Sequence, residues 1–399
     1  GMRRVLYISG SRADYGPARG MLRAIHADLE LALSLLVVGM HMDKLHGETW
    51  REIEGDGFVI AEKIDDRISG DSLTGMAGSV GLYLHSMSQA LARIQPDIVL
   101  LYGDRGEQLA GAMAGAFQNI VVAHLCGGSI SGSIDDSIRH AITKFAHYHF
   151  PSFDEHANRI IQMGEEPETV QVVGLPGGNL WPDVTLTRKQ VCAEVGLPSD
   201  SSYILVIQHP VTQSHSGTRK QIVETLEAVK SAGIPVLLAN PNDDAGGRII
   251  LQTMAEYSEK TSLLQVLPPV ANRELFASVM ARASVLVGNS SSAVVEAMSV
   301  ALPVVNIGDR QRGREHLAKW VNVGYDRNKI GQAIDQALKD PEYRRELAEF
   351  SQQIPARDTN ALIVDSLKTM DLQRGSRPKR FLDLEATKGL SSISGTPRT

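Results

Sequence analysis

Residues able to do chemistry recur in this chain at one kind of place, directly after short apolar runs. The run 98–102 is followed by "GDRGE", with Asp104, Arg105 and Glu107. The run 120–123 leads into "HLCGGSISGSIDDSIRHAITK" (124–144), which crowds glycines, hydroxyls, Asp135, Asp136, Arg139 and His140 into one connection. The run 5–8 precedes "SGSRADYG", bringing Arg12 and Asp14. In the second half, "QHPVTQ" (208–213) carries His209, Thr212 and Gln213, and "NPNDDAGG" (240–247) carries Asn242. "GNSSSAVVEA" (288–297) and "NIGDRQRGRE" (306–315) complete the set.

The two halves offer different chemistry. The first is acidic, and paired carboxylates suit general acid–base work. Acids in a first helical turn also serve simply as dipole partners, and for Asp136 that capping role is favoured. Asp104 precedes its helix and is harder to account for in that way. The second half offers an anion site: Gly288 and Asn289 make a tight turn, and Ser290, Ser291 and Ser292 stand at a helix N-terminus, where free N–H groups favour a diphosphate. Glu296 lies one turn after Ser292 on the same face, placed to accept hydrogen bonds from ribose hydroxyls. An ordinary serine cap with a solvated Glu accounts for that stretch equally well. Arg310, Arg312 and Arg314 could neutralise the same phosphates, or form a solvated basic loop. The pattern is neither GxxxxGK[ST] nor GxGxxG. His140, His147 and His149 lack the companions of a metal set, and Cys126 has no nucleophile signature.

The elements that must hold these residues follow from the apolar runs 5–8, 33–38, 98–102, 120–123, 148–150, 170–173, 203–207, 236–239, 263–267, 284–287 and 304–307. Runs of this length alternating with amphipathic segments predict βα units around parallel sheets buried on both faces. Helices are predicted over 107–118, over 133–146 with a Ser133-x-x-Asp136 cap, and over 341–353. In open α/β sheets ligands bind at the carboxyl ends of strands, so consistent polar placement there predicts two clusters facing a cleft. A Pro/Gly-rich seam divides the chain. We expect an N-terminal Rossmann-like domain at 2–178, a linker at 179–202 and a second Rossmann-like domain at 203–355. A C-terminal helix at 356–373 would cross back to the first domain, followed by a tail at 374–399.

Composition agrees with a soluble enzyme of two domains: 399 residues, 43% hydrophobic, 22% charged, net charge −6. Mild acidity argues against a nucleic-acid or membrane surface. Two distant cysteines, Cys126 and Cys192, fit a reducing cytoplasm.

Eight collinear stretches carry a resemblance: "GSRADYG" (10–16), "YGDRGEQLA" (102–110), "GSIDDSIRHAITK" (132–144), "VVGLPG" (172–177), "HP" (209–210), "PNDDAGG" (241–247), "GNSSSAVVEA" (288–297) and "PVVNIGDRQRGRE" (303–315). Together they resemble the hydrolysing sugar-nucleotide 2-epimerases of the sialic-acid and legionaminic-acid type. The resemblance implies an α/β, GT-B-like fold of two Rossmann-type doubly wound domains facing across a cleft. It implies a nucleotide-sugar substrate such as UDP-N-acetylglucosamine, no cofactor, no metal and a homodimer. The implied reaction releases the nucleoside diphosphate with the C2 proton to give a glycal, which takes up water to yield the free 2-epimer. A GT-B glycosyltransferase, or a sugar-nucleotide binder with reduced catalysis, is the alternative. By matched position Asp104 and Asp135 fall on acids that the family uses in its chemistry, and Arg12, His209, Ser290, Ser291, Glu296 and Arg310 on its nucleotide site; the catalytic candidates are Asp104, Glu107, Asp135 and His209. The nucleotide and substrate candidates are Arg12, Asn242, Gly288, Asn289, Ser290, Ser291, Glu296 and Arg310. The chain departs from the family where Cys126 and Ser129 stand for acids, and where Pro17 stands for a lysine.

Overall fold

A computed structural model describes residues 1–44, 47–68, 72–178, 180–211, 217–241, 246–268, 272–308, 321–352 and 358–384. The first lobe runs β1 (Arg3–Ser9), α1 (Arg12–Tyr15), α2 (Arg19–Ala27), β2 (Leu31–Val38), α3 (Trp50–Gly55) and β3 (Ile60–Ile64). It continues with α4 (Leu73–Ile94), β4 (Ile98–Tyr102), α5 (Gly106–Phe117), β5 (Val121–Leu125), α6 (Ile134–Phe145), β6 (Tyr148–Phe150) and α7 (Asp154–Gln162). The second lobe opens with α8 (Arg188–Val195), β7 (Ile204–Ile207), α9 (Thr218–Ser231), β8 (Val236–Leu238), α10 (Gly247–Lys260) and β9 (Leu264–Val266). Then come α11 (Arg273–Arg282), β10 (Val285–Gly288), α12 (Ser291–Ser299), β11 (Val304–Ile307), β12 (Val321–Val323), α13 (Arg327–Lys339), α14 (Pro341–Ser351) and α15 (Thr359–Thr369).

Each lobe is built on one six-stranded sheet, and every pairing is parallel. The orders, β3-β2-β1-β4-β5-β6 and β12-β11-β10-β7-β8-β9, are the same doubly wound topology. The strand order therefore reverses between β1 and β4 in one lobe and between β7 and β10 in the other. Crevices open there at the carboxyl ends of the strands. The continuous apolar runs have a direct cause. Successive strand side chains point to opposite faces, and both faces are covered. Val5 and Tyr7 of β1 join the core under α2, while Leu6 and Ile8 join the core under α4 and α5. Leu205 and Val206 of β7 divide the same way.

The two-lobed α/β architecture is the one expected, but three local expectations need correction. Residues 170–173 form no strand: Val170 makes one isolated bridge to His149, and Gln171 and Val173 donate to the carbonyls of His149 and Pro151. The first sheet is completed instead by β3, an edge strand whose "IAEKI" buries only Ile64 fully. The short edge strand β12 was likewise hidden by its polar middle residue. The segment 179–202 is no bare linker. It contains α8, capped by a Thr187–Gln190 capping box, and buries Leu180, Val191, Cys192 and Val195 in the second core.

The chain then returns to the first lobe. Ile363, Val364 and Leu367 of α15 pack in the core with α2, and Arg3 donates to the Met370 carbonyl (2.7 Å). Beyond it Arg374 pairs with Glu166 (3.0 Å), Lys379 pairs with buried Glu165, and Leu382 N–H donates to the Gly164 carbonyl (2.8 Å). Residues 385–399 of the tail lie outside the described residues.

Candidate active site

At the end of β1 the chain turns into α1 through a capping box in which Ser11 accepts the Ala13 N–H and Asp14 is the reciprocal partner. The Asp14 carboxyl is buried, hydrogen-bonded by Ser9 and by the backbone of Gly10 (2.8 Å), and contacted by Gln108 Nε2 (3.1 Å). Burial raises its pKa to about 7, although the hydrogen bonds from Ser9 and Gly10 oppose the rise. His41 completes this buried chain, with Nε2 2.7 Å from Ser9 Oγ and Nδ1 2.7 Å from Thr49 Oγ1. Burial lowers the His41 pKa to about 3, so the ring is neutral.

Asp104 sits on the next connection, after Gly103, whose φ of +88° suits glycine. His124 fixes this turn, its Nε2–H donating to the Gly103 carbonyl (2.7 Å). The Asp104 carboxylate is bound by the guanidinium of Arg139, which is buried at 1% side-chain exposure. Arg139 also donates to Asp136 (2.6 Å) and to the Ser129 carbonyl (2.8 Å). Asp136 accepts in turn from the backbone of Ser131 (2.7 Å) and Gly132 (2.8 Å). Burial alone would raise the Asp136 pKa, but Arg139 and these N–H groups outweigh it and hold the carboxylate below its ordinary value. Ser133 caps α6 as its sequence predicts, accepting the Asp135 N–H. Asp136, by contrast, stitches the glycine- and serine-rich loop to the helix.

Glu107 and Asp135 come together on the wall of one cavity of about 270 Å³, between the first turns of α5 and α6 and the start of α4. Glu107 is also packed against the β1 and β2 exits: a Cβ on Gly39 would stand 2.6 Å from its Oε1. Arg105 Nε lies 3.6 Å from Glu107 Oε2. Three of the four catalytic candidates thus lie on the carboxyl edge of one sheet.

The second lobe holds the fourth. Gly288 ends β10 at φ +151°, where a Cβ would fall 1.9 Å from the Ile207 carbonyl oxygen; no larger residue fits. Asn289, fully buried, clamps the β7 exit: its Oδ1 accepts the His209 N–H (2.7 Å) and its Nδ2 donates to the His209 carbonyl (2.9 Å). Ser290 is the N-cap of α12, and Ser291 begins its first turn. The Asn289 side chain is thereby occupied in positioning His209. Glu296, anticipated as a ribose acceptor, forms an ion pair with buried Arg273 (2.8 Å). Asn242, Thr212, Gln213, Arg310, Arg312 and Arg314 lie outside the described residues.

The two edges meet. The Arg12 guanidinium lies 5.3 Å from the Phe276 ring centroid, and Arg19 reaches Glu274 (3.4 Å) and Asp183 (3.8 Å) across the lobes. Arg273 passes so close to α1 that a Cβ on Gly16 would stand 2.8 Å from its Nη1. Arg12 itself pairs with Glu52 (3.4 Å), and burial with the nearby charge of Arg273 lowers its pKa. The carboxyl end of β1 in one lobe therefore abuts the N-terminal turn of α11 in the other.

Sequence reasoning missed Arg139 and Arg273 as site residues. The first had a signal, since Asp136 and Arg139 are three apart on one helix face. The second had none, because its partners Glu296 and Asp183 come from remote segments. The histidines of "AHYH" are structural here: His147 Nδ1 accepts the Val122 N–H (2.9 Å), and His149 pairs with Glu165 (2.8 Å). Cys126 has its Sγ 3.5 Å from Ser152 Oγ.

The sequence pattern of UDP-N-acetylglucosamine 2-epimerases matches residues 23–368. The chain belongs to that family. It is 36% identical over 344 residues to the UDP-N,N'-diacetylbacillosamine 2-epimerase (hydrolyzing) of Legionella pneumophila, covering 86% of this chain and 91% of that one. It is 30% identical over 384 residues to a UDP-N-acetylglucosamine 2-epimerase of Neisseria meningitidis serogroup B, covering 96% and 100%. Among solved structures, the Neisseria meningitidis UDP-GlcNAc 2-epimerase bound to UDP-GlcNAc superimposes with a TM-score of 0.77 at 17% identity, over 91% of this chain and 99% of that one. That likeness supports the GT-B-like fold of this epimerase family member.

Proposed function

We propose that the chain is a hydrolysing 2-epimerase acting on UDP-N-acetylglucosamine or a related nucleotide 2-acetamido sugar. The observation that carries this reading is that Glu107 and Asp135 line one cavity at the first lobe's strand ends, while in the second lobe a serine-capped helix N-terminus follows the strand that ends at Gly288. In the proposed reaction the C1–O bond to the diphosphate breaks and the C2 hydrogen leaves as a proton, forming a C1=C2 double bond. Water then adds, hydroxyl to C1 and proton to C2 on the opposite face, releasing the free 2-epimer.

Each step has a physical requirement that residues of matching chemistry would serve. The departing diphosphate gains charge, and the N–H groups at Ser290–Ser291, with Arg12, His209 and Arg310, are suited to receive it. Asn242, Gly288 and Asn289 would shape the same turn cluster. Glu296 would reach the ribose once exchanged from Arg273. As C1 becomes cationic, Asp104, bound and oriented by Arg139, stabilises it. Glu107 and Asp135, on the cavity wall, take the C2 proton and activate water. The relatives named as hydrolysing support this course.

Incubation with UDP-N-acetylglucosamine, followed by proton NMR, tests the reading. It predicts equimolar UDP and free N-acetylmannosamine. Release of UDP only when a sugar acceptor is added would favour a glycosyltransferase. Binding without release would favour a non-catalytic binder, consistent with Cys126 standing where other members carry an acid.

A further inference from the structure

The proposed reaction gives Arg273 no part beyond holding Glu296. Arg273 stands at the first turn of α11, 4% exposed, and points toward the first lobe. Its carboxylate neighbours are Glu296, at 2.8 Å, and Asp183, at 3.6 Å. Neither contact is well made. Arg273 Nε and Glu296 Oε2 are buried atoms with no hydrogen-bond partner among the described residues, so charge alone holds the pair, without aligned hydrogen bonds. A guanidinium is a planar fork of donors suited to an anion, and buried donors left unmade cost free energy.

The surroundings indicate which anion would use those donors. Burial lowers the Arg12 pKa, Glu52 opposes this, and the Arg273 charge lowers it further, so the two guanidinium groups lie close together. Each is held by a glutamate of its own lobe, Arg12 by Glu52 at 3.4 Å and Arg273 by Glu296 at 2.8 Å. Two like charges gathered in a buried crevice repel, and an anion that bears more than one negative charge answers both. Asp183 is not stranded if Arg273 turns away. It also lies 3.8 Å from Arg19, which is bound to Asp56 (2.6 Å) and reaches Glu274 (3.4 Å).

We propose that Arg273 is a second cation for the nucleotide's diphosphate, held on Glu296 until the nucleotide arrives. The inference rests on the epimerase reading above and deepens it by adding a binding residue. Ribose hydroxyls replace the guanidinium at Glu296, and the diphosphate replaces the carboxylate at Arg273. One loosely made buried ion pair is thereby exchanged for two sets of charge-assisted hydrogen bonds to a single ligand. Each lobe then contributes a cation to the leaving group, Arg12 from the first and Arg273 from the second, as its charge grows with C1–O cleavage.

The test measures UDP binding by calorimetry and uridine binding by NMR titration, in the wild type and in Arg273→Gln. Arg273→Gln should weaken UDP binding by about tenfold or more, what one hydrogen bond to a charged group commands. Uridine lacks the phosphates and should bind no more weakly than to the wild type, because Glu296 no longer has a guanidinium to shed. Arg273→Lys keeps the charge and should recover part of the UDP affinity. Unchanged UDP affinity in Arg273→Gln, or an equal loss for UDP and uridine, overturns the proposal while leaving the epimerase reading standing. Should Arg273→Gln not fold, Glu296→Gln is compared with the double variant Arg273→Gln/Glu296→Gln, in which neither partner's charge is left unpaired. The double variant should bind UDP about tenfold more weakly than Glu296→Gln; equal affinity overturns the exchange. A wild type that binds neither UDP nor uridine would end the epimerase reading, and the exchange with it.

Discussion

Replacing Arg139 by methionine removes one buried cation and leaves two carboxylates behind. In the wild type the guanidinium binds Asp104, lies 2.6 Å from Asp136 and donates to the Ser129 carbonyl at 2.8 Å. Breaking a buried pair by removing one partner costs about 3–5 kcal/mol. Asp104 and Asp136 keep 19% and 21% side-chain exposure, so water can partly replace the lost partner. We therefore expect the lower end, about 3 kcal/mol, for Arg139→Met. Arg139→Lys keeps the charge but cannot bridge both acids with a planar fork, and should cost about 1–2 kcal/mol. Urea unfolding followed by fluorescence in a Trp181→Phe, Trp320→Phe background, which keeps only Trp50, reads the first lobe's stability. UDP release measured under folding conditions reads the site, and kcat should fall more than UDP affinity. A methionine variant within about 0.5 kcal/mol of wild type, the spread of inert surface substitutions, with undiminished kcat, would refute the view that this arginine sets the acid wall.

Asp104→Asn should abolish turnover while leaving UDP affinity, read by calorimetry, nearly unchanged; a fully active variant would remove Asp104 from the chemistry. Gly288→Ala places a Cβ 1.9 Å from the Ile207 carbonyl, so β7 and β10 must part. A loss of about 3 kcal/mol, the upper range for overpacking, is expected in denaturant titration, together with weakened UDP binding. Folded Asp14 keeps its proton up to about pH 7, whereas the unfolded carboxyl releases it near 3.8. The native state therefore binds more protons across that window, and Asp14 makes stability fall as pH rises from about 4 to 7. Asp14→Asn should flatten that fall relative to wild type in unfolding midpoints measured at several pH values.

The sequence makes legible whatever rests on local periodicity. Strands with both faces buried, such as "VLYI" and "ILVI", announce themselves as apolar runs, and the glycines and acids after them mark the carboxyl edge of the sheet. Edge strands do not, because one flank and much of a face meet water; β3, with Glu62 and Lys63 in its middle, was legible only after the fold was seen. The run 170–173 misled for the opposite reason, being apolar because it lies along β6 without joining the ladder. Long-range pairing was equally hidden. Asn289 reads as a ligand-binding amide until its two hydrogen bonds to the His209 backbone are seen. Glu296 reads as a ribose acceptor until Arg273 is found beside it. The seam at 179–202 was legible as a composition shift, yet its Val191, Cys192 and Val195 fall on one side of a short helix that seals the second core.

If one crevice removes the C2 hydrogen and the nucleoside diphosphate from the same sugar, the hydrogen that returns to C2 comes from water. Running the reaction in deuterium oxide tests it most directly. UDP is expected together with a free 2-epimeric sugar carrying deuterium at C2, because the proton returned to that carbon comes from solvent. Free sugar of unchanged configuration that retains its original C2 hydrogen would mean simple hydrolysis at C1, and would contradict the account.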